Sequence, residues 1–517
     1  MAHSPASAGR HWMVGLALVL LVGGAIRLPG LSEPLLEGAA GKQTHTAMAA
    51  RNFYRGHATL ARPRVDDVGK PGYFVKELPV LPALGAAAYG ALGRVDERVL
   101  RGMGLLAWLG ATLLLAGLLR ESLGDRGALL AGLWFQISPM GIVYSRAAMN
   151  DSLAVLAALG ALAAISAWRQ SPGSRRVLIS GLLVGLAFLL KPHTALWLGP
   201  AAAVTVLASG GPADAGRPGA GRILGICLTA AAALGLASLW YMHAAAIHRI
   251  HPVPGATVAE GWVAPELLAR PELYLEIGRQ TLSMVFTPLG ALVAAFGIAY
   301  GPRLRLVEWA LVAWGGGVLL QGLVFAPRMF DELSRGTEYY QLPLVPCAAW
   351  LIGRGLDQLA RRAWARPAVA LGGAALLLAG GAALEASRAA RPPARYDSLI
   401  SDCTAVRAVT EPGDELLVLA DRGGTVLYYC DRKGQTFTIA SAVNPTIADR
   451  SEKASAYDIS TALRGARYVY VPFPQLLGDD PELLRGLASE WREVPLHGSE
   501  ARLFARPGMP RHAGESR

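Results

Sequence analysis

The chain has 517 residues, of which 53% are apolar and only 17% charged, and its mean hydropathy is +0.35. This composition excludes an ordinary soluble domain and indicates a polytopic membrane protein. The net charge of +11 does not indicate nucleic-acid binding, because the arginines cluster in short turns between apolar runs, where the positive-inside rule places them.

The chain begins with a short polar stretch, residues 1–10, followed by an apolar run from His11 to Leu28 that lacks a small-residue cleavage site. We therefore predict an uncleaved first span with the N-terminus in the cytoplasm. The next segment, 29–93, is unusually polar for such a chain, and we expect a long outside loop there. Its notable polar residues are Glu37, Lys42, Gln43, His45, Arg51, Asp66, Asp67, Lys76 and Glu77.

Apolar runs close to the roughly 20 residues that cross a bilayer recur along the chain. We predict about eleven spans, at 12–28, 99–118, 127–145, 151–168, 177–191, 194–209, 222–242, 281–300, 306–326, 339–355 and 367–386. The run Leu78–Leu92 is an exception, because it is short and contains Pro79 and Pro82. If it crossed the membrane, the Arg-rich turns would not all face the cytoplasm. We therefore predict an interfacial or re-entrant helix, and a C-terminus outside.

This topology brings four further polar segments to the outside face. They are residues 145–152, 189–193, 240–255 and 330–341. Because these segments reach the same side as the first loop, the sequence predicts a single outward-facing site built from several helix ends.

The composition changes after Arg388. Short strands are predicted at 413–423, 426–434, 436–440, 466–472 and 501–508, and amphipathic helices at 452–463 and 480–491. This alternation predicts a small α/β domain over 391–508 outside the membrane, followed by a disordered tail, 509–517. Cys403 and Cys430 lie in this domain and either form a disulfide or remain two unpaired thiols. Walker and dinucleotide fingerprints and metal-spaced Cys/His clusters are absent from the sequence, so a soluble nucleotide site is not expected.

Several segments, taken in order, resemble a known pattern. They are QTHTAMAARNFYRG with PRVDDVGKPGYFVKELPVLP, then SRAAMNDSLAVL, GLLVGLAFLLKPH and EYYQLPLVPCAAWLIG. This order resembles the glycosyltransferase C superfold, and within it the bacterial branch related to protein O-mannosyltransferases and lipid A aminoarabinose transferases. The resemblance implies a transmembrane module over 1–390, with 29–98 as its first periplasmic loop and juxtamembrane helices.

The resemblance implies an enzyme of the bacterial inner membrane. This enzyme would transfer a hexosyl or pentosyl group from a polyprenyl-phosphate donor to a lipid, glycan or protein acceptor on the periplasmic face. The resemblance does not identify the sugar or the acceptor. No cofactor is certain, a divalent cation is left open, and no metal ligand is assigned. Two other functions stay open. A transporter or flippase of lipid-linked sugar would usually show paired inverted repeats, and a glycan polymerase or ligase typically carries its large outside loop late in the chain.

Sugar transfer from a lipid phosphate needs a carboxylate that takes the acceptor's proton and cations that hold the departing phosphate. The family often has an acidic pair just before the TAMAARNF helix, where this chain has Lys42 and Gln43. Glu37 is therefore the first substitute as base, although a solvated interface residue is the alternative. Asp151 follows, as base or as helix cap. Glu77, Asp66 and His45 are the remaining proton acceptors.

For the phosphate, Lys191 at the outer end of a span matches a polar position of the family, and snorkelling to the interface is its alternative. Arg146 either binds phosphate or pairs with Asp151. Tyr339 and Tyr340 either contact the donor or anchor a span at the interface. His193 either orients the donor or forms a hydrogen bond within the bundle. The other predicted donor-binding or substrate-binding residues are Lys42, Gln43, His45, Lys76 and, more weakly, Arg51.

Overall fold

The computed structural model describes residues 5–171, 173–208, 220–252, 265–326, 338–362, 367–420, 424–438, 463, 466–477 and 481–508. Over these residues the chain is mostly helical, and a small five-stranded sheet lies towards its C-terminal end. The predicted combination of a helical module and a small α/β domain is therefore present. Three predicted features lie outside the described residues, namely the helix over 452–462, the segment 330–337 and the tail 509–517.

The apolar module contains fifteen described helices. They are α1 (Pro5–Ala25), α2 (Ala40–Tyr54), α3 (Val80–Leu92), α4 (Glu97–Ile137), α5 (Pro139–Tyr144), α6 (Asp151–Gln170), α7 (Ser174–Leu190), α8 (Ala195–Leu207), α9 (Ala220–Ile250), α10 (Pro265–Leu268), α11 (Pro271–Gln280), α12 (Pro288–Tyr300), α13 (Leu306–Val324), α14 (Val345–Arg362) and α15 (Pro367–Ala389). Short 3₁₀ turns cover Pro29–Leu31, Pro192–Thr194 and Glu338–Leu344, and a π-helical turn covers Thr281–Phe286.

The longest helical segment, α4, is a hairpin. Gly124 interrupts its 41 residues with φ +72°, a left-handed conformation that glycine adopts without strain. The two arms face each other, because Gln136 Nε2 donates to Thr112 Oγ1 at 2.6 Å and the rings of Trp108 and Phe135 stack at 4.0 Å. The predicted spans 99–118 and 127–145 correspond to these arms, except that the second arm ends at Ile137.

Fewer described helices meet the length and hydropathy of a membrane span than the eleven predicted, in part because the hairpin α4 is counted once. Four described helices are long and apolar enough to cross a bilayer, namely α4, α6, α13 and residues 223–250 of α9. A fifth would be the pair Pro271–Phe286 and Pro288–Tyr300, which is bent by 84°. The segment predicted as the span 281–300 is therefore not one straight helix, because Thr287 has φ +58° and interrupts it, and whether it crosses the membrane stays a prediction. The total of eleven spans stays a prediction.

The short helix predicted over Leu78–Leu92 is present as α3. Its 13 residues would extend only about 20 Å at 1.5 Å per residue, which is less than the ~30 Å hydrocarbon core. A helix of this length does not cross a bilayer by itself. Its position at the interface stays a prediction.

Close backbone contact between helices holds the module together around α14. A Cβ at Gly355 would lie 2.0 Å from the carbonyl oxygen of Val293 in α12, and one at Gly353 would lie 2.7 Å from the backbone nitrogen of Ala131 in α4. Small residues let membrane helices approach in this way. Arg354, between the two glycines, forms a buried ion pair with Glu308 of α13 at 2.6 Å. Helix α14 therefore contacts three neighbours at one level.

The C-terminal domain is built on a mixed sheet. Its strands lie in the order β2-β1-β3-β5-β4, with β1 parallel to β2 and β3, and β5 antiparallel to β3 and β4. The strands are β1 (Glu415–Ala420), β2 (Lys433–Thr438), β3 (Tyr468–Val471), β4 (Arg492–Val494) and β5 (Arg502–Ala505), and the helices are α16 (Leu399–Val409), α17 (Thr425–Cys430) and α18 (Pro481–Glu490).

One strand prediction in this domain is wrong. Residues 425–430, inside the predicted strand 426–434, form helix α17. A short apolar run such as VLYYC is compatible with either structure, and tertiary packing decides between them. The other predicted strands correspond to β1, β2, β3 and β5, whereas β4, with only three residues, was not predicted. A disulfide joins Cys403 in α16 to Cys430 at the end of α17, which is one of the two alternatives that the sequence left open.

The contact at Gly355 gives a test of the helix packing. We expect Gly355→Val to lower the free energy of unfolding by about 1–3 kcal/mol, because overpacking against backbone forces the helices apart. Thermal unfolding of the purified protein in detergent measures this change. Gly372→Val in α15 is the matched control, since a Cβ there meets nothing within 4 Å. Equal melting temperatures for the two variants would contradict the packing described for α14.

Candidate functional site

Four charged side chains from four segments meet at one place, which we name the lysine–carboxylate cluster. Lys42 Nζ lies 3.2 Å from Glu77 Oε1, and Lys191 Nζ lies 3.6 Å from the same oxygen. Lys191 Nζ also lies 2.9 Å from Asp151 Oδ1. The cluster thus alternates two cations with two anions. The predicted catalytic residues Glu77 and Asp151 and the predicted donor-binding residues Lys42 and Lys191 are brought together.

Local backbone structure explains how these residues meet. Asp151 is the first residue of α6, where a carboxylate is favoured by the partial positive charge of the helix N-terminus. Lys191 follows the last residue of α7 in an extended conformation, because Pro192 disfavours a helical residue before it. The backbone N–H of Leu78 donates to the carbonyl of Leu189 at 2.9 Å. This bond ties the segment that carries Glu77 to the end of α7.

The cluster is buried at one end and open at the other. The side chains of Lys191 and Asp151 are only 2% and 7% exposed, whereas those of Glu77 and Lys42 are 21% and 27% exposed. Within the described residues, Lys191 Nζ and Asp151 Oδ2 have no hydrogen-bond partner. Burying charged groups without complete pairing is costly, so such groups are usually kept for a function.

An aromatic surface adjoins the two lysines. The ring centre of Tyr339 lies 5.1 Å from Lys42 Nζ and 5.2 Å from Lys191 Nζ, within the range of cation–π attraction. Tyr340 stacks on Tyr339 at 4.5 Å, and His193 lies 5.6 Å from Tyr340. The predicted residues Tyr339, Tyr340 and His193 therefore lie beside the cluster.

Electrostatics keep the open end of the cluster charged. Burial by itself would raise the pKa of the Glu77 carboxyl, but Lys42, Lys191 and Lys76 outweigh this effect and hold that pKa well below its usual range. Burial would likewise lower the pKa of Lys42, but the negative charge of Glu77 outweighs it and holds the Lys42 pKa well above its usual range. Both groups are therefore ionised at neutral pH.

Glu37 lies in a separate buried ion-pair network. Its two carboxylate oxygens accept hydrogen bonds from Arg101 Nη1 and Arg146 Nη2, each at 2.6 Å. Gln43 donates to the Glu37 carbonyl at 2.7 Å and accepts from the backbone N–H of Ala148 at 3.1 Å. Arg146 thus pairs with Glu37, and the alternative pairing of Arg146 with Asp151 is not formed.

The remaining predicted residues lie along the first loop. His45 Nε2 is 2.7 Å from Asp67 Oδ2, and its ring lies 4.7 Å from that of Phe74. Lys76 Nζ lies over Phe74 at 4.5 Å from the ring centre. Arg51 pairs with Asp66 at 2.7 Å and belongs to the junction with the C-terminal domain. Of these residues, Lys76 directly precedes Glu77 in the chain, and His45 lies less than one turn from Lys42 on α2.

Two residues near the cluster were given no role by sequence reasoning. Glu338 accepts a hydrogen bond from the Tyr144 hydroxyl at 3.0 Å. Its position directly before the two tyrosines was the available signal. Phe325 stacks on Tyr340 at 5.5 Å and lies 5.5 Å from His193. Nothing in the apolar run around Phe325 distinguished it from core residues.

Part of the chain matches a known protein family. Residues 77–232 match the family described as dolichyl-phosphate-mannose-protein mannosyltransferase. The matched region includes Glu77, Asp151 and Lys191 but not Lys42. No curated protein sequence matches the chain.

Solved structures extend the comparison to the whole chain. ArnT from Cupriavidus metallidurans, bound to undecaprenyl phosphate, is 14% identical with a TM-score of 0.63, over 97% of this chain and 99% of that one. The Archaeoglobus fulgidus oligosaccharyltransferase, in complex with Zn and sulfate, is 14% identical with a TM-score of 0.53, over 88% of this chain and 67% of that one. Mycobacterial arabinofuranosyltransferase AftD is 15% identical with a TM-score of 0.52, over 99% of this chain and 42% of that one.

The chain has the glycosyltransferase C fold. The resemblance indicated by the sequence segments is confirmed. Within the described part of the chain, no three His, Cys, Asp or Glu side chains lie close enough to share a metal ion.

The network around Glu37 gives a second test. We expect Glu37→Gln to lower the free energy of unfolding by about 3–5 kcal/mol, because it leaves Arg101 and Arg146 buried without their anion. Glu33→Gln is the control, since Glu33 is exposed in the same loop. Thermal unfolding in detergent, measured alongside activity, distinguishes the two roles of Glu37. An unchanged melting temperature with lost activity would show that Glu37 acts as the base.

Proposed function

We propose that this protein is a membrane glycosyltransferase that moves a sugar from a polyprenyl-phosphate donor to a hydroxyl or similar acceptor. The observation that carries the proposal is the lysine–carboxylate cluster, in which two lysines and two carboxylates meet at a partly open site. The structural match to ArnT covers 97% of this chain, and that ArnT structure has undecaprenyl phosphate bound. This supports the choice of donor. The family match over 77–232 supports the choice of reaction.

The two lysines would bind the donor phosphate. Lys42, at the open end, would meet the phosphate first, and the buried Lys191 would hold it at the back of the site. In the reaction, the bond between the anomeric carbon and the phosphate oxygen breaks, and a bond forms to the acceptor oxygen. The bond's electron pair leaves with the phosphate, so ammonium groups already in place would stabilise the developing charge.

Asp151 is the better of the two carboxylates as proton acceptor. Glu77 has a pKa held well below its usual range by three lysines, which makes it a weak base. Asp151 has one oxygen facing Lys191 and a second, Oδ2, without a hydrogen-bond partner among the described residues. Oδ2 would take the acceptor's proton while Oδ1 keeps Lys191 in position.

His193 would contribute as a neutral group. Burial, followed by the charges of Lys191 and Lys42, holds the pKa of its imidazole well below the usual range. A neutral imidazole does not balance the charge of a phosphate, but it can donate or accept a hydrogen bond. We therefore assign His193 and the adjacent Tyr340 to orienting the donor, and the lysines to binding its charge.

The disulfide supports a location on the outer face. Disulfides persist in oxidising compartments such as the periplasm and are rare in the cytosol. Cys403 and Cys430 lie in the C-terminal domain, and α17, which ends at Cys430, packs near α2. The site would therefore face the periplasm of a bacterial inner membrane, as the cationic turns also predict.

Substitutions at the buried end of the cluster test the reaction. We expect Lys191→Met to lower kcat by about 10²–10³-fold through loss of phosphate stabilisation, and Asp151→Asn to lower it by about 10²–10⁴-fold through loss of the base. The assay follows release of polyprenyl phosphate from polyprenyl-phosphate sugars by the purified protein. Arg10→Met is the control, because Arg10 is exposed near the start of α1. Wild-type rates in both cluster variants would refute the site assignment.

Labelling tests the orientation. Ser32 lies in the first loop and Ser171 follows α6 at the end opposite Asp151, and both are exposed. In a chain with Cys227 replaced by serine, we expect Ser32→Cys to react with an impermeant thiol reagent added to intact cells. We expect Ser171→Cys to react only after lysis. The reverse pattern would place the cluster on the cytoplasmic face.

A further inference from the structure

The first loop of the membrane module completes the edge of the C-terminal sheet. Strand β2 is the outermost strand on its side, and residues 66–69 run beside it. The Gly69 N–H donates to the Gly434 carbonyl at 2.8 Å, and the Gly434 N–H donates to the Asp66 carbonyl at 2.8 Å. An exposed sheet edge offers unpaired backbone groups, and an added extended segment satisfies them. The loop and the domain therefore share one hydrogen-bonded layer.

Consecutive carboxylates of this segment hold helix α2. Asp66 Oδ2 accepts from Arg51 Nη2 at 2.7 Å, and Asp66 Oδ1 accepts from Asn52 at 3.0 Å. Asp67 Oδ2 lies 2.7 Å from His45 Nε2. The Asp66 and Asp67 side chains are only 4% and 7% exposed, so both contacts are shielded from water. The segment is thus attached to the sheet by its backbone and to α2 by its side chains.

Helix α17 makes a second contact between the domain and α2. Arg51 Nη1 donates to the carbonyl of Tyr428 at 2.9 Å, and the hydroxyls of Thr44 and Thr425 are 3.4 Å apart. The disulfide at Cys430 fastens the end of α17 to α16. The C-terminal domain therefore contacts α2 at both Thr44 and Arg51.

Lys42 lies on the same helix, less than one turn before His45. We propose that the C-terminal domain positions α2 and thereby Lys42, so that Asp66 and Asp67 are positioning residues of the donor site. The inference rests on the proposed function, in which Lys42 binds the donor phosphate. The domain then acts as part of the donor site and not as a separate binding module. A shift of the sheet edge moves Lys42 relative to Lys191, which belongs to α7.

Asp66→Asn in the full-length chain is the first test. It keeps the shape of the side chain but removes one of the two carboxylate charges that pair with Arg51, the other being that of Asp431 at 2.9 Å. We expect the Kd for polyprenyl phosphate and the KM for the donor to rise about tenfold, a typical coupling between linked sites, with the KM for the acceptor unchanged. Asp66→Glu keeps the charge and should recover part of the affinity. A merely structural role would lower the melting temperature without this selective change in donor affinity.

Glu493→Gln is the matched control. Glu493 pairs with Arg502 at 2.7 Å on β4 and β5, the side of the sheet away from the first loop. We expect this variant to bind polyprenyl phosphate like the wild type. Equal Kd values for Asp66→Asn and the wild type would overturn the inference. A wild-type protein that fails to bind polyprenyl phosphate would instead overturn the proposed function.

A crosslink tests whether the domain acts in its docked position. Oxidation of the double variant Thr44→Cys, Thr425→Cys would fasten α17 to α2, where the two hydroxyls already lie 3.4 Å apart. We expect the crosslinked protein to bind polyprenyl phosphate and to transfer sugar at the rate of the wild type under the same oxidation. Loss of binding on crosslinking would show that the domain must leave α2, which would overturn the inference.

Discussion

The ion pair between Lys191 and Asp151 is the contact on which the site depends. At 2.9 Å it joins the end of α7 to the start of α6, and both side chains are nearly inaccessible to water. Buried pairs of this kind are rarely the most stable solution, because desolvating two charges offsets much of their attraction. The incomplete hydrogen bonding of Lys191 Nζ and Asp151 Oδ2 adds to that cost. A substrate that brings its own anion and its own hydroxyl would satisfy both atoms.

Two other sets of contacts hold the surrounding helices in place, and neither includes Lys191 or Asp151. The network of Glu37, Arg101 and Arg146 is self-contained, with both carboxylate oxygens paired. It ties the first loop to α4 and to the segment before α6. In the core, the close contacts of Gly353 and Gly355 tie α14 to α4 and α12. Rigid surroundings of this kind let a site hold charged groups in a fixed arrangement before the substrate arrives.

Much of the architecture was predictable from the sequence, because long apolar runs, cationic turns and proline positions are local signals. The helix at Leu78–Leu92 and the expectation that Asp151 and Lys191 lie on the same side followed from such signals, whereas their direct contact was not predicted. Features set by tertiary contacts did not. VLYYC is helical only because of its packing. Likewise, nothing near Glu37 in sequence showed that two distant arginines would occupy its carboxylate. The break at Thr287, by contrast, precedes Pro288, which is a local signal that the predicted span 281–300 did not take into account.

The pair Lys42–Glu77 explains the departure from the family pattern at Lys42-Gln43. The acidic residue expected on α2 is replaced by a lysine, and the acid is supplied from the segment before α3, 3.2 Å away. Lys42 therefore has a carboxylate partner in this chain. A lysine on α2 adds a cation at the open end of the site, where a phosphate would enter, and leaves the buried Asp151 as the carboxylate with a free oxygen. Under the proposed function, Asp151 at the start of α6 would act as the base, and Lys42 on α2 would bind the phosphate together with Lys191.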